Sequence, residues 1–210
     1  MPLAGRAPAP IAFLEFCRRQ PQDCGGDRAK VREALAALPA GSPWATRFAS
    51  VRSPAPGAVF APRSVGPSGE PVQFQGAAPM TPALWAVIQR VNAEVNRAIV
   101  RRSDRAAYGV EDRWATPLSS GRRYGDCEDY ALEKRHRLIA AGVPAEALNI
   151  ALATTRWGEA HAVLLVAAGG GEYVLDNLDA WILPWDQAPY RWRTRQVGGD
   201  PFAWAYAAAD

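Results

Sequence analysis

The hydrophobic pattern divides the chain into a helical first part and a stranded last part. Residues 11–19 (IAFLEFCRR) and 27–38 (DRAKVREALAAL) predict two short helices around a Cys24-Gly25-Gly26 turn. Thr81-Pro82 is a helix start, with Thr as cap and Pro in the first turn. Leu84, Ile88, Val91, Val95 and Ala98 then recur at alternating spacings of four and three, which predicts one apolar stripe on a long helix. A further helix is predicted from Asp126 to Ala141, ended by Gly142 and Pro144. Beyond it the period becomes that of strands, at Asn149–Thr155, His161–Ala167 and Glu172–Asp176, with a fourth near Tyr190–Val197. Helices first and strands later predict an α+β fold. The expectation is one domain over 11–205, preceded by a disordered or remnant segment 1–10. Residues 39–82 hold 9 of the 18 prolines and show no period. They predict an irregular excursion, centred on about 45–78, with short strands near Val59-Phe60 and Val72–Phe74.

Composition narrows the class. Hydrophobic residues are 49% and charged residues 21%, which excludes a wholly disordered chain. No apolar run approaches 18 residues, so no transmembrane helix is predicted. All but Lys30 and Lys134 of the 24 basic residues are Arg. Acids nearly balance them, leaving a net charge of +3. No clustered basic face stands out, so no nucleic-acid partner is expected. Met1 to Pro10 lacks the long apolar stretch of a signal peptide. Either the protein is cytosolic or its signal is missing from this chain. Cys17 and Cys24 form a close pair, and Cys127 stands alone. A disulfide between the pair and a free, reactive third thiol are expected. Three Cys and two His at these spacings fit no zinc template.

Candidate chemistry gathers at Gly125-Asp126-Cys127-Glu128-Asp129-Tyr130. Cys127 falls in the first turn of a predicted helix, where unpaired N–H groups favour a thiolate and could stabilise an oxyanion. A cysteine nucleophile needs a base. His136 lies nine residues on, about 900° round the helix and therefore on its opposite face. His161 remains by elimination. Asp176, at the end of the next strand, could orient the imidazole, with Asp179 as fallback. The register is left open. A turn over Ala167–Gly170 sets 161 opposite 176, one over Gly169–Glu172 leaves them four residues out of step, and any three-residue turn puts them on opposite faces. Asp126, Glu128 and Asp129 should raise the thiol pKa by repulsion unless a divalent cation offsets them, and hard oxygen ligands suit Ca²⁺.

Several segments, in order, resemble the bacterial transglutaminase-like cysteine proteinases. They are Phe13-Leu14-Glu15-Phe16-Cys17 with Pro21 and Cys24, Val91-Asn92-Ala93-Glu94-Val95-Asn96 and Tyr108-Gly109-Val110-Glu111-Asp112-Arg113-Trp114. The cysteine segment through Ala131-Leu132, His161-Ala162-Val163-Leu164 and Val174-Leu175-Asp176-Asn177 complete the set. The resemblance covers roughly 11–40 and 80–205. It implies a papain-like, transglutaminase-type fold with N-terminal helices packed on an antiparallel sheet. It also implies a Cys127-His161-Asp176 triad in a periplasmic cysteine endopeptidase, with calcium held by Asp126, Glu128 and Asp129. Trp114 or Asp112 is then a candidate for the oxyanion site, and Trp157 for the substrate cleft. The best-understood member type cleaves a large surface adhesin and is sequestered by a cyclic-di-GMP-responsive inner-membrane receptor. The implied partners are therefore a protein substrate, such as an adhesin, and a regulatory receptor. Amine transfer of the transglutaminase or amidase kind, and a non-catalytic binding module on the same fold, are the alternatives.

Overall fold

The computed structural model describes residues 1–38 and 79–208. In chain order they form β1 (Leu3–Ala7), α1 (Ile11–Arg19), a 3₁₀ turn (Pro21–Cys24), α2 (Arg28–Ala36), α3 (Pro82–Ala98), β2 (Val100–Arg101) and α4 (Asp104–Tyr108). Then follow β3 (Tyr124–Gly125), α5 (Cys127–Ala140), a further 3₁₀ turn (Ala145–Ala147), β4 (Leu148–Thr154), β5 (Ala160–Ala168), β6 (Gly171–Leu175), β7 (Leu183–Pro184), β8 (Arg191–Val197) and β9 (Asp200–Ala207). The strands expected near Val59-Phe60 and Val72–Phe74, and nearly all of the proline-rich excursion, lie outside the described residues.

Local chemistry sets the helix starts. Asp27 accepts from the N–H groups of Ala29 and Lys30 at 2.9 and 3.1 Å, and Thr81 Oγ1 accepts from Leu84 N–H at 3.1 Å. Each satisfies donors that the first helical turn leaves open. The Cys17–Cys24 disulfide ties α1 to the 3₁₀ turn behind it.

Seven strands make one antiparallel sheet in the order β1-β9-β8-β4-β5-β6-β7. The fold is thus mixed helix and antiparallel sheet. Ile150, Leu152 and Ala162 share a core with Phe13, Leu14 and Phe16 of α1. Leu148, Leu164, Val166 and Leu175 share one with Ile88, Val91 and Val95 of α3 and with Ala131 and Leu138 of α5. On the other face Ala151, Val163, Leu165 and Val174 lie under Trp185, Tyr190 and Trp192. Covered on both sides, β4 and β5 are apolar runs rather than alternating ones. Among the described residues no helix is long and apolar enough to cross a membrane.

One expectation needs correction. Residues 1–10 were expected to be disordered or a remnant, yet they carry β1, paired antiparallel with β9. The ladder is made by backbone groups, so an edge strand needs few apolar side chains to form. The β5–β6 register is neither of the same-face arrangements weighed above. Leu164 pairs with Leu175 and Ala168 with Gly171, leaving Gly169-Gly170 as a two-residue turn. Both glycines have positive φ, 59° and 82°, as a tight hairpin requires. Continued, this register puts His161 two residues out of step with Asp176 and on the same face.

Candidate active site and acidic cluster

Cys127 is the first residue of α5, with Asp126 as the extended residue before it. The half-buried thiol donates to Glu128 Oε2 at 3.2 Å and receives the Ala162 N–H from β5. Burial pushes the thiol well up from its ordinary pKa, and the charges of Glu128 and Asp126 add to this.

His161 and Asp176 are both 3% exposed and joined at 2.8 Å, His161 Nε2 to Asp176 Oδ1. Asp176 also accepts from Tyr190 O–H and, at 3.1 Å, from Leu178 N–H. Burial pushes the Asp176 carboxyl up, but the hydrogen bond and charge of His161, with the other donors, outweigh it. The carboxyl lies below its usual range. An ionised Asp176 accepts only, so His161 Nε2 carries the proton of the pair and Nδ1 keeps the lone pair of the neutral ring. The sequence reading missed Tyr190, whose ring stands 5.2 Å from that of His161. It arrives from the segment before β8, fourteen residues from Asp176, and local pattern carried no signal of it.

The acids beside Cys127 form part of a larger group. Ligand oxygens of Asp104, Asp126 and Asp129 lie within 4.8 Å of one another, as do those of Asp104, Asp112 and Glu128. Asp126, Glu128 and Asp129 were expected. Asp104 and Asp112 were not, and only the loop from β2 to β3 brings them in. Asp126 Oδ2 accepts from Asp104 N–H at 3.1 Å, and Asp129 Oδ1 from Ala115 N–H at 2.7 Å. Asp104 Oδ2 accepts from Arg113 N–H. Burial comes first, and the Asp126 charge second, in raising Asp104 to about 7, Asp112 to about 6 and Asp129 to about 9. Glu128 is driven well up by the same two causes.

These carboxylates fit a hard divalent cation. Asp104 Oδ1, Asp112 Oδ1, Asp126 Oδ1 and Asp129 Oδ2 are buried without a hydrogen-bond partner among the described residues. Several acceptor-only oxygens held this close want a cation. Gly125 makes room for them, because a Cβ there would stand 2.5 Å from Asp129 Oδ2.

The remaining candidates separate. Trp114 is fully buried against Phe13, with ring centroids 5.4 Å apart, and its indole bonds Asp112. His136 is on α5 away from Cys127, bonded through Nδ1 to Asp23 at 2.6 Å. Trp157 is exposed on the turn into β5, and Trp181 on the loop after Asp176. Both loops leave the end of the sheet that carries His161.

No curated protein matches the chain. Solved structures of Legionella pneumophila LapG are similar, among them a calcium-bound and an EGTA-treated form. Each is 27% identical over 56% of this chain, with TM-scores of 0.47, 0.46 and 0.47. The likeness spans 66%, 66% and 64% of those chains, less than two thirds of their length. A family model described as bacterial transglutaminase-like cysteine proteinase, BTLCP, matches residues 64–210, a span that contains Cys127, His161, Asp176 and the whole acidic cluster. With well over half of its length in that match, the chain belongs to the BTLCP family of cysteine peptidases.

Proposed function

We propose that the protein is a calcium-dependent cysteine endopeptidase acting through Cys127, His161 and Asp176 on a papain-like, transglutaminase-type fold with its N-terminal helices against the sheet. The observation that carries this reading is the buried 2.8 Å pair of His161 Nε2 and Asp176 Oδ1, next to the residue whose N–H meets the Cys127 sulfur. His161 Nδ1 takes the thiol proton, and Asp176 stabilises the imidazolium. The thiolate attacks the substrate's carbonyl carbon. N–H groups at the start of α5 stabilise the oxyanion. The carbon–nitrogen bond breaks, and the leaving amine takes the proton back from His161. Water, deprotonated by His161, then cleaves the thioester and frees the thiol.

Asp104, Asp112, Asp126, Glu128 and Asp129 would hold the calcium ion. Its charge would keep those carboxylates ionised and offset their push on the Cys127 thiol. Action in the periplasm is supported by the Cys17–Cys24 disulfide, since such bonds persist in oxidising compartments. The substrate is a protein. A large surface adhesin, and an inner-membrane receptor as regulator, are the partners that the family-like segments suggest.

The test is alkylation of Cys127 against pH, in calcium and in chelator, with proteolysis of a peptide library alongside. A thiolate pKa well below about 8.5 in calcium, lost in His161→Ala, is expected. Cleavage should vanish in Cys127→Ala with folding intact. Cleavage that persists in Cys127→Ala would overturn the assignment. A product bearing an added primary amine would point instead to acyl transfer.

A further inference from the structure

The buried face of α5 holds a charge that the peptidase chemistry does not use. Five charged side chains of this helix are buried: Glu128, Asp129, Glu133, Lys134 and Arg135. Four have hydrogen-bond partners. Glu128 accepts from the Cys127 thiol, and Asp129 from Ala115 N–H. Glu133 accepts from Ser119 Oγ and Arg137 Nε, at 2.9 and 3.1 Å. Arg135 donates to the carbonyls of Asp23 and Leu148, at 2.6 and 3.3 Å. Lys134 is 0% exposed, and its Nζ has no hydrogen-bond partner among the described residues. The Tyr130 ring lies 6.0 Å from it. An ammonium group carries three donors, and leaving them all unmet in a core is among the costliest arrangements a side chain can adopt.

Matching acceptors stand on the elements around it. Side-chain oxygens of Asn92, Asn96 and Asn177 are likewise buried without a partner among the described residues. Asn92 and Asn96 share one face of α3, four residues apart. Their neighbours Val91 and Val95 lie in the same core cluster as Ala131 and Leu138, which bracket Lys134 on α5. Leu175, next to Asp176, belongs to that cluster too. Asn96 Nδ2 already donates to the Asp176 carbonyl at 2.8 Å. Burial pushes Lys134 down to about 7, and Asp176 is the charge that acts against this.

We propose that Lys134 is a positioning residue for the site. Its ammonium group, together with Asn92 and Asn96, holds the Asp176-Asn177 corner at the end of β6 and so fixes where the Asp176 carboxylate meets His161. Asn96 grips the corner by the Asp176 carbonyl, and the Lys134 charge acts on Asp176 from the buried side of α5. A hydrophobic side chain could fill the space but could not hold the corner. The inference rests on the peptidase reading, since it assigns Lys134 a part in that site.

The chain's only two lysines are Lys30 and Lys134, so nitrogen-15 labelling of lysine gives two side-chain signals. Lys30 is mostly exposed, 3.8 Å from Asp200. In calcium-loaded protein near neutral pH, Lys134 should give a slowly exchanging ammonium signal with contacts to the Asn92 and Asn96 side chains. Rapid exchange at both lysines, or no such contacts, would overturn the proposal without any variant. Lys134→Met then tests the consequence. Its melting temperature should hold or rise, because an unpaired buried charge is gone. Cys127 alkylation near neutral pH should nevertheless fall about tenfold, the scale of a one-unit shift in the thiolate pKa, and the His161 ring N–H resonance should move. A folded Lys134→Met protein with wild-type alkylation and an unmoved His161 signal refutes the role. The two readings fail separately. A wild-type Cys127 that alkylates like a free thiol removes the peptidase reading, whereas an activated wild type matched by Lys134→Met removes only this one.

Discussion

Chelation should make the protein's stability fall as pH rises, and calcium should abolish that fall. In the metal-free protein Asp104 titrates at about 7, against 3.8 for an ordinary aspartate. Between those values the folded protein keeps a proton that the unfolded chain has released. Stability is therefore full below about pH 4 and is lost as pH climbs towards 7. From pH 5 to pH 7 the loss from this one carboxyl is about 2 kcal/mol. Asp112, raised to about 6, and Asp129, raised to about 9, act in the same direction. All three share the repulsion of Asp126, so about 2 kcal/mol is the scale for the cluster and not one share of a sum. Asp176 has the opposite sign, being held below its usual range, but its contribution is already complete above about pH 5. At about 2–4 °C per kcal/mol for a chain of this size, the melting temperature in chelator should drop about 4–8 °C between pH 5 and pH 7. Calcium needs ionised ligands, so its stabilisation should grow over the same range. Circular dichroism melts in EGTA and in millimolar calcium read both slopes. A chelated protein whose melting temperature is flat or climbs from pH 5 to pH 7 would refute the reasoning, as would one indifferent to calcium at pH 7.

Two further outcomes follow from single contacts. Tyr190→Phe removes the hydroxyl donor to Asp176, and a hydrogen bond to a charged group is worth about 1.5–3 kcal/mol. Peptidase turnover should fall about tenfold or more with little change in KM, and unchanged turnover would remove Tyr190 from the site. Replacing Cys17 and Cys24 together by Ser opens a loop of seven residues' separation and should cost about 2.5 kcal/mol, read as a lower denaturation midpoint. Full activity at low denaturant in that variant would separate the disulfide's role from the site's.

Much of this protein is written in local sequence. The spacing of Leu84, Ile88, Val91 and Val95, the Thr81-Pro82 start and the runs of β4 and β5 each announce an element, because helical and strand periods depend only on neighbours along the chain. Cys127 at a helix start and the acids beside it were legible for the same reason, and His161 followed because the chain has so few histidines. The triad itself and calcium dependence stay with the proposal and its experiments. Tertiary structure decided what long-range pairing alone determines. The two-residue Gly169-Gly170 turn chose the register that sets His161 and Asp176 on one face. The loop from β2 to β3 carried Asp104 and Asp112 into the acidic cluster, and the segment before β8 brought Tyr190 to Asp176. The first strand is visible only through its partner β9, from the other end of the chain. Period and capping are properties of a segment, whereas a site is a property of segments whose distance apart only packing can set.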